Sequence, residues 1–186
     1  MKRLFAAIKT TPNPGYIDSY RSLQLALKQH SIKWTEEKNL HITLKFFGES
    51  SEGMIPNICC VIDSVASELT DFSFNYTGLG IFGSRYNPRV IWSGIQPYEE
   101  VSQIIQCLKN KLTTIGISDD RQNPVPHLTL GRIRSLQDRR LFQNALDLYK
   151  NLSSAPMMAK KIILFESILL RSGPEYHVIE SFPFKK

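Results

Sequence analysis

The chain has 186 residues, with 23 Lys and Arg against 17 Asp and Glu, a formal charge of +6 and a pI near 9.3. Hydrophobic residues make up 42% and charged residues 22%, an ordinary globular balance that excludes a disordered polyampholyte, and no apolar run approaches the roughly 18 residues of a membrane span. Three cysteines, two of them adjacent (Cys59, Cys60), make no disulfide framework, so a reduced, cytoplasmic setting is expected.

Met1-Lys2-Arg3 before Leu4–Ile8 has the charge pattern of a signal peptide, but Lys9 ends the apolar run early. Arg3 to Lys9 therefore reads as a first strand. After the turn signal Thr11-Pro12-Asn13-Pro14-Gly15, Tyr16, Tyr20, Leu23 and Leu27 share one helical face, and the helix is expected to run to about His30. Trp34 leads into a strand, His41 to Gly48. Met54, Ile58, Val61, Ile62, Val65 and Leu69 make a second helical stripe, and Phe72 to Leu79 alternates as a strand. Gly80 to Pro88 reads as a loop, then Arg89 to Ile95 as a strand. Tyr98, Val101, Ile105, Leu108, Leu112 and Ile115 form a third helical face, with Glu99 and Glu100 near its start and lysines near its end, as the helix dipole favours. Gly116 to Pro126 is a polar loop before a strand opened by His127. Ser135-x-x-Asp138 suggests a capping box for a helix to about Tyr149, and Lys160–Leu170 and Tyr176–Phe184 close the chain as strands.

One offset organises these elements. His41-Ile42-Thr43-Leu44 returns as His127-Leu128-Thr129-Leu130, 86 residues later, and Arg3 stands 86 residues before Arg89. The first helix shifted by 86 falls on the third, the second on the fourth, and Phe72–Leu79 on Met158–Phe165. Strand–helix–strand–helix–strand thus occurs twice. The expectation is a duplicated α/β chain with pseudo-two-fold symmetry, residues 1–186 forming a single two-lobed domain with repeats at about 3–80 and 89–166. In a strand, residues i and i+2 share a face, so each copy presents an imidazole beside a hydroxyl over two apolar residues.

Two such pairs facing one cleft suit phosphoryl displacement, which needs an attacking and a leaving oxygen in line through phosphorus. Near neutrality one imidazole can be neutral and the other protonated. One would take a proton from water and the other supply one to the departing alkoxide, each contributing about 10²–10⁴-fold. Thr43 and Thr129 would hydrogen-bond the non-bridging oxygens, each donor contributing about 3 kcal/mol. No metal or other cofactor is needed. A basic chain with such a site favours a polyanionic partner.

Together with Arg3-Leu4-Phe5-Ala6-Ala7-Ile8, Trp34 ahead of His41–Glu49, Pro88–Gly94, Pro126–Arg132, Glu166-Ser167 and Tyr176, these motifs cover essentially the whole chain. In that set it resembles the RNA 2′,3′-cyclic phosphodiesterases of the LigT or ThpR type, once called 2′-5′ RNA ligases, in the two-histidine phosphoesterase superfamily. The resemblance implies a bilobal fold with a central groove and metal-free opening of a 2′,3′-cyclic phosphate at an RNA end to a 2′-phosphate, with reversible 2′-5′ ligation as a companion activity. It implies His41 as proton donor to the 3′ oxygen, His127 as acceptor from water, and Arg132 as a phosphate contact. A monomer acting on RNA is expected. Gly131 stands where the family often has Ala, a departure expected to matter little.

Other residues have plainer readings. His30 near a helix end suits the dipole, His177 either faces solvent or makes a substrate-side contact, and Cys59 and Cys60 behave as small hydrophobes. No Cys-x-x-Cys or His-x₃-His spacing supports zinc. Phe82, Arg85, Tyr86 and Arg89 form either a rim for a terminal base or a solvated loop. Two other functions remain open on the residues alone: a non-catalytic RNA-binding module, or the same chemistry on a small cyclic nucleotide.

Overall fold

The computed structural model describes residues 1–117, 125–171 and 173–185. Among these, nine strands form one antiparallel sheet, and four α-helices and two short 3-10 helices complete the fold. β1 (Lys2–Lys9), α1 (Pro14–Ala26), β2 (Ser31–Trp34), β3 (His41–Ser50), α2 (Ile55–Ala66) and β4 (Phe72–Ser84) make the first half. β5 (Asn87–Gln96), α3 (Tyr98–Thr113), β6 (Leu128–Ser135), α4 (Arg139–Leu148), β7 (Met157–Ala159) and β8 (Lys161–Leu169) repeat it, and β9 (Pro174–Pro183) follows.

The sheet order is β7-β4-β5-β6-β3-β1-β8-β9, with β2 attached to β6. Outward from the middle it reads β6-β5-β4 on one side and β3-β1-β8 on the other, each strand facing its own 86-residue equivalent. The axis relating them is marked by one pair. β3 and β6 meet only where Ile42 pairs with Leu128, and these two residues are themselves 86 apart. An antiparallel pair of equivalent residues is what a two-fold axis through a sheet produces. Both side chains are fully buried in a core shared by all four helices. The alternate face of the sheet carries His41, Thr43 and Thr129, because side chains in a strand point to opposite faces in turn.

The repeat reaches one strand further than the sequence reading. β9 lies beside β8 in a hairpin as β5 lies beside β4, so that Tyr176 is to Val90 what Leu128 is to Ile42.

Several expectations are corrected. The segment 80–88 is not a loop: β4 and β5 run through it as a hairpin turning at Arg85-Tyr86. Its glycines are places of close approach, not chain breaks. A Cβ on Gly80 would lie 2.2 Å from the Trp92 ring, and one on Gly83 (φ +100°) 2.4 Å from the Asn87 carbonyl. β2, hidden by its four-residue length, is a strand in its own right. The Asp138 carboxylate, not Ser135, caps α4, accepting from the amides of Arg140 (2.8 Å) and Leu141 (3.0 Å). The loop expected at 116–126 lies mostly outside the described residues. α1 ends at Ala26, and His30 lies beyond it, buried, with its Nδ1 accepting from the Gln137 amide at 3.2 Å. Burial pushes its pKa down, so it packs as a neutral ring, not a dipole-stabilised cation. Cys60 is exposed, and only Cys59 of the pair packs on the core.

Gly131 is also more consequential than expected. A Cβ there would meet Ile32 Cγ2 and Trp34 Cε3, each at 2.9 Å, so its bare backbone is what lets β2 lay these side chains across β6. Neither contact is the loose end of a flexible chain. Gly131→Ala is therefore expected to destabilise the protein by about 1–3 kcal/mol, read as a lower urea midpoint with unchanged m-value. A neutral or stabilising result would refute this packing account.

Candidate active site

His41 opens β3, and His127 stands immediately before β6. The backbone turns into the strand at both points, bringing the carbonyl of residue i−2 against the ring. Asn39 O lies 2.6 Å from His41 Nδ1, and Val125 O lies 2.6 Å from His127 Nδ1. Asn39 and Val125 are again 86 apart. A carbonyl can only accept, so each Nδ1 carries a hydrogen and the working nitrogen of each ring is Nε2. Neutral, that nitrogen accepts a proton; in the imidazolium it donates one.

Both rings line one groove of about 580 Å³, together with Thr43, Thr129 and Arg132, so all five residues singled out in the sequence share a single cavity. The two threonines follow from the strand period: each points the same way as its histidine, over the buried Ile42 and Leu128. Tyr20 braces the floor. Its buried hydroxyl lies 2.8 Å from Leu130 O and 2.7 Å from Thr35 O, one donor shared between β6 and the chain entering β3.

Aromatic rings wall in each imidazole. Phe5 and Tyr176 stand 5.0 and 5.3 Å from the His41 ring, the latter edge to face. Phe82 and Trp92 stand 4.8 and 6.2 Å from His127. Of the rim expected from Phe82, Arg85, Tyr86 and Arg89, only Phe82 lines the groove, while Arg85 covers the exposed Tyr86 ring at the hairpin tip. His177 lies outside it, paired with Glu175 at 2.8 Å.

The dry walls set the electrostatics. Burial pushes the pKa of His41 down from 6.5 to about 4, the Asn39 carbonyl opposes the shift, and His127 adds to it. His127 is also lowered by burial, opposed by the Val125 carbonyl and reinforced by the Arg132 guanidinium. The nearby His127 thus discourages a proton on His41, while the charge that discourages one on His127 is Arg132. Here the halves part company, because the 86-residue counterpart of Arg132 is Phe46. Tyr176, which lines the same groove as Arg132 and Arg3, has its pKa raised by burial and pulled back by these two cations.

Sequence reading missed Arg3 as a groove residue, Tyr176 as the wall of His41, and the two carbonyls. The carbonyls were findable, since the same offset that pairs the histidines pairs Asn39 with Val125. Arg3 was visible only as a strand start, because which strand neighbours β3 is a matter of topology. The groove offers imidazoles, hydroxyls and cations, and its one carboxylate among the described residues, Glu36, is held by Lys38 at 2.9 Å. Among the described residues no three His, Cys, Asp or Glu side chains come together as a metal site. No helix among them is long and apolar enough to cross a membrane.

Comparison with known proteins matches residues 12–92 and again 95–176 to the family described as LigT like Phosphoesterase, one match per repeat. A Methanocaldococcus jannaschii protein named RNA 2′,3′-cyclic phosphodiesterase is 31% identical over 97% of this chain and 99% of its own. A Methanothermobacter thermautotrophicus protein of the same name is 30% identical over 97% of each. Among solved structures, a Thermus thermophilus protein superposes with a TM-score of 0.77 at 21% identity, covering 98% of this chain and 97% of that one. E. coli LigT in complex with 3′-AMP gives 0.76 at 17% identity, covering 100% and 99%. The structural likenesses bear on the fold.

The depressed imidazole fixes a sign for stability. Between pH 6.5 and about 4 the unfolded chain binds a proton at His41 that the folded groove refuses. Stability therefore falls as pH drops through that window and is fully present above it. His41→Asn removes this contribution, so its urea midpoint is expected to fall less steeply from about pH 7 to about pH 4 than that of the parent. Parallel profiles would sink the claim.

Proposed function

The chain belongs to the LigT-like phosphoesterase family, and we propose that it hydrolyses the 2′,3′-cyclic phosphate at an RNA end to a 2′-phosphomonoester, without a metal ion, by paired-imidazole acid–base catalysis. The observation that carries the proposal is the matched hold on the two rings: both Nδ1 atoms tied to backbone at 2.6 Å, both rings in one groove, on opposite sides of the Ile42–Leu128 axis.

Water attacks phosphorus and its proton passes to Nε2 of one histidine, as the bond from phosphorus to the 3′ oxygen breaks and that oxygen takes a proton from Nε2 of the other. Thr43 and Thr129 donate to the non-bridging oxygens, and Arg132 offsets their charge. Arg132 also supports a direction. A guanidinium beside His127 disfavours its protonated form, as the base requires, while His41 has Phe46 in the equivalent place. His41 is neutral in the empty groove at neutral pH, and the substrate's own negative charge, arriving beside the ring, favours its protonation. The homologues' names support the RNA substrate, and the basic chain agrees with it.

An oligoribonucleotide ending in a 2′,3′-cyclic phosphate, incubated with excess EDTA, should yield a 2′-phosphomonoester end. A 3′-phosphomonoester, or turnover abolished by EDTA, would falsify the proposal. His41→Ala and His127→Ala should each lower kcat by about 10²–10⁴-fold with the circular dichroism spectrum unchanged.

A bell-shaped pH profile is expected, with kcat/KM peaking on the acid side of pH 6.5, since both free-enzyme imidazoles are lowered. The kcat bell should lie higher, because bound phosphate favours the imidazolium. Arg132→Gln removes the cation that depresses His127, so its kcat/KM bell should move to higher pH. A shift in the opposite direction would rule out Arg132 as the asymmetric element.

A further inference from the structure

The groove carries more positive charge than one cyclic phosphodiester needs. That group bears a single negative charge, yet Arg3, Lys33 and Arg132 all line the groove, and none of the three is in an ion pair among the described residues. Arg132 acts on His127, and both arginines act on the Tyr176 hydroxyl. Lys33 is not among the charges acting on either imidazole or on that tyrosine. It projects from β2 opposite Arg132, on the edge of β6 that faces β3, since β5 holds the other edge.

A second hollow of about 360 Å³, lined by Gln24, Trp34, Thr35, Glu36, Glu37 and Lys38, shares Trp34, Thr35 and Glu36 with the groove. Its two glutamates are occupied, Glu36 by Lys38 at 2.9 Å and Glu37 by Arg21 at 2.8 Å. Lys33 is thus an available cation in the groove, next in sequence to Trp34, a residue that borders both spaces. The charge is one-sided as well: the equivalents of Arg132 and Arg134 in the first repeat are Phe46 and Gly48.

We propose that the junction of the two spaces is a subsite for the nucleotide preceding the cyclic end. Lys33 takes the phosphate that joins it to the terminal nucleoside, and its base lies against Trp34 at the mouth of the adjoining hollow. The inference rests on the function proposed above and narrows its substrate class to RNA ends of two or more nucleotides, as against cyclic mononucleotides.

The test compares a dinucleotide and a mononucleotide, each ending in a 2′,3′-cyclic phosphate. The parent protein should show a kcat/KM about tenfold or more higher on the dinucleotide, with a preference that shrinks as salt is added. One phosphate contact to a single strand contributes about 0.7 to the log–log salt slope, and Lys33→Gln should remove about that much. Lys33→Gln should lower the dinucleotide-to-mononucleotide ratio about fivefold or more, Lys33→Arg should restore it, and Trp34→Leu should lower it by a similar factor, as lost base stacking does. Equal kcat/KM for the two substrates in the parent, or equal losses on both in Lys33→Gln, overturns the subsite. If neither substrate turns over, the catalytic reading fails separately. The subsite is then decided by the binding of a 2′-phosphate-ended dinucleotide against its mononucleotide: tighter dinucleotide binding that Lys33→Gln abolishes supports it, and equal binding overturns it.

Discussion

A single residue pair governs the geometry of this protein. Ile42 and Leu128 are equivalent positions of a duplicated unit, and they meet each other across the middle of the sheet. Once they pair, strand alternation leaves no choice about their neighbours: His41 and Thr43 on one side and His127 and Thr129 on the other must emerge on the opposite face, related by the same axis. The groove is the place where β3 and β6, joined at that point alone, diverge. Burying two apolar side chains fully at the dyad therefore sets both the fold and the separation of the reactive groups.

Symmetry of placement coexists with asymmetry of environment. The carbonyls of Asn39 and Val125 hold the two rings alike, at the same distance on the same nitrogen. The walls use different rings to the same end, Phe5 and Tyr176 for one histidine and Phe82 and Trp92 for the other. Only the cations break the pattern. A symmetric pair of imidazoles has no intrinsic direction for proton flow, so whatever direction exists must come from residues the duplication no longer matches, with Arg132 opposite Phe46 foremost among them.

Much of this is legible without coordinates because the duplication converts weak local signals into a register. The helical faces of Tyr16, Tyr20 and Leu23, and of Val101, Ile105, Leu108 and Leu112, are the buried ones. The His-x-Thr copies land where strand periodicity puts them, in one groove. Where the residues mislead, the cause is physical. Gly80 and Gly83 imitate a loop, yet they are small because Trp92 and the hairpin backbone lie against them. Ser135 resembles a cap because spacing cannot tell which of two polar residues turns its side chain to the free amides. Gly131 looks incidental because its neighbours Ile32 and Trp34 are about 100 positions away in sequence. The aromatic and cationic surroundings of the imidazoles depend on strand order, which no local pattern encodes.

The third use of the repeating strand has a mechanical consequence. β9 supplies Tyr176 to the wall of His41 but ends the sheet, bonded to β8 on one side only, whereas β5, which supplies Trp92 to the wall of His127, is held between β4 and β6. Edge strands open at lower free energy than central ones. Each imidazole therefore has one ring on a strand held on both sides, Phe5 on β1 or Trp92 on β5, and one on a strand whose outer edge is open there among the described residues, Tyr176 on β9 or Phe82 on β4, so that either wall can part from its ring and leave the dyad closed.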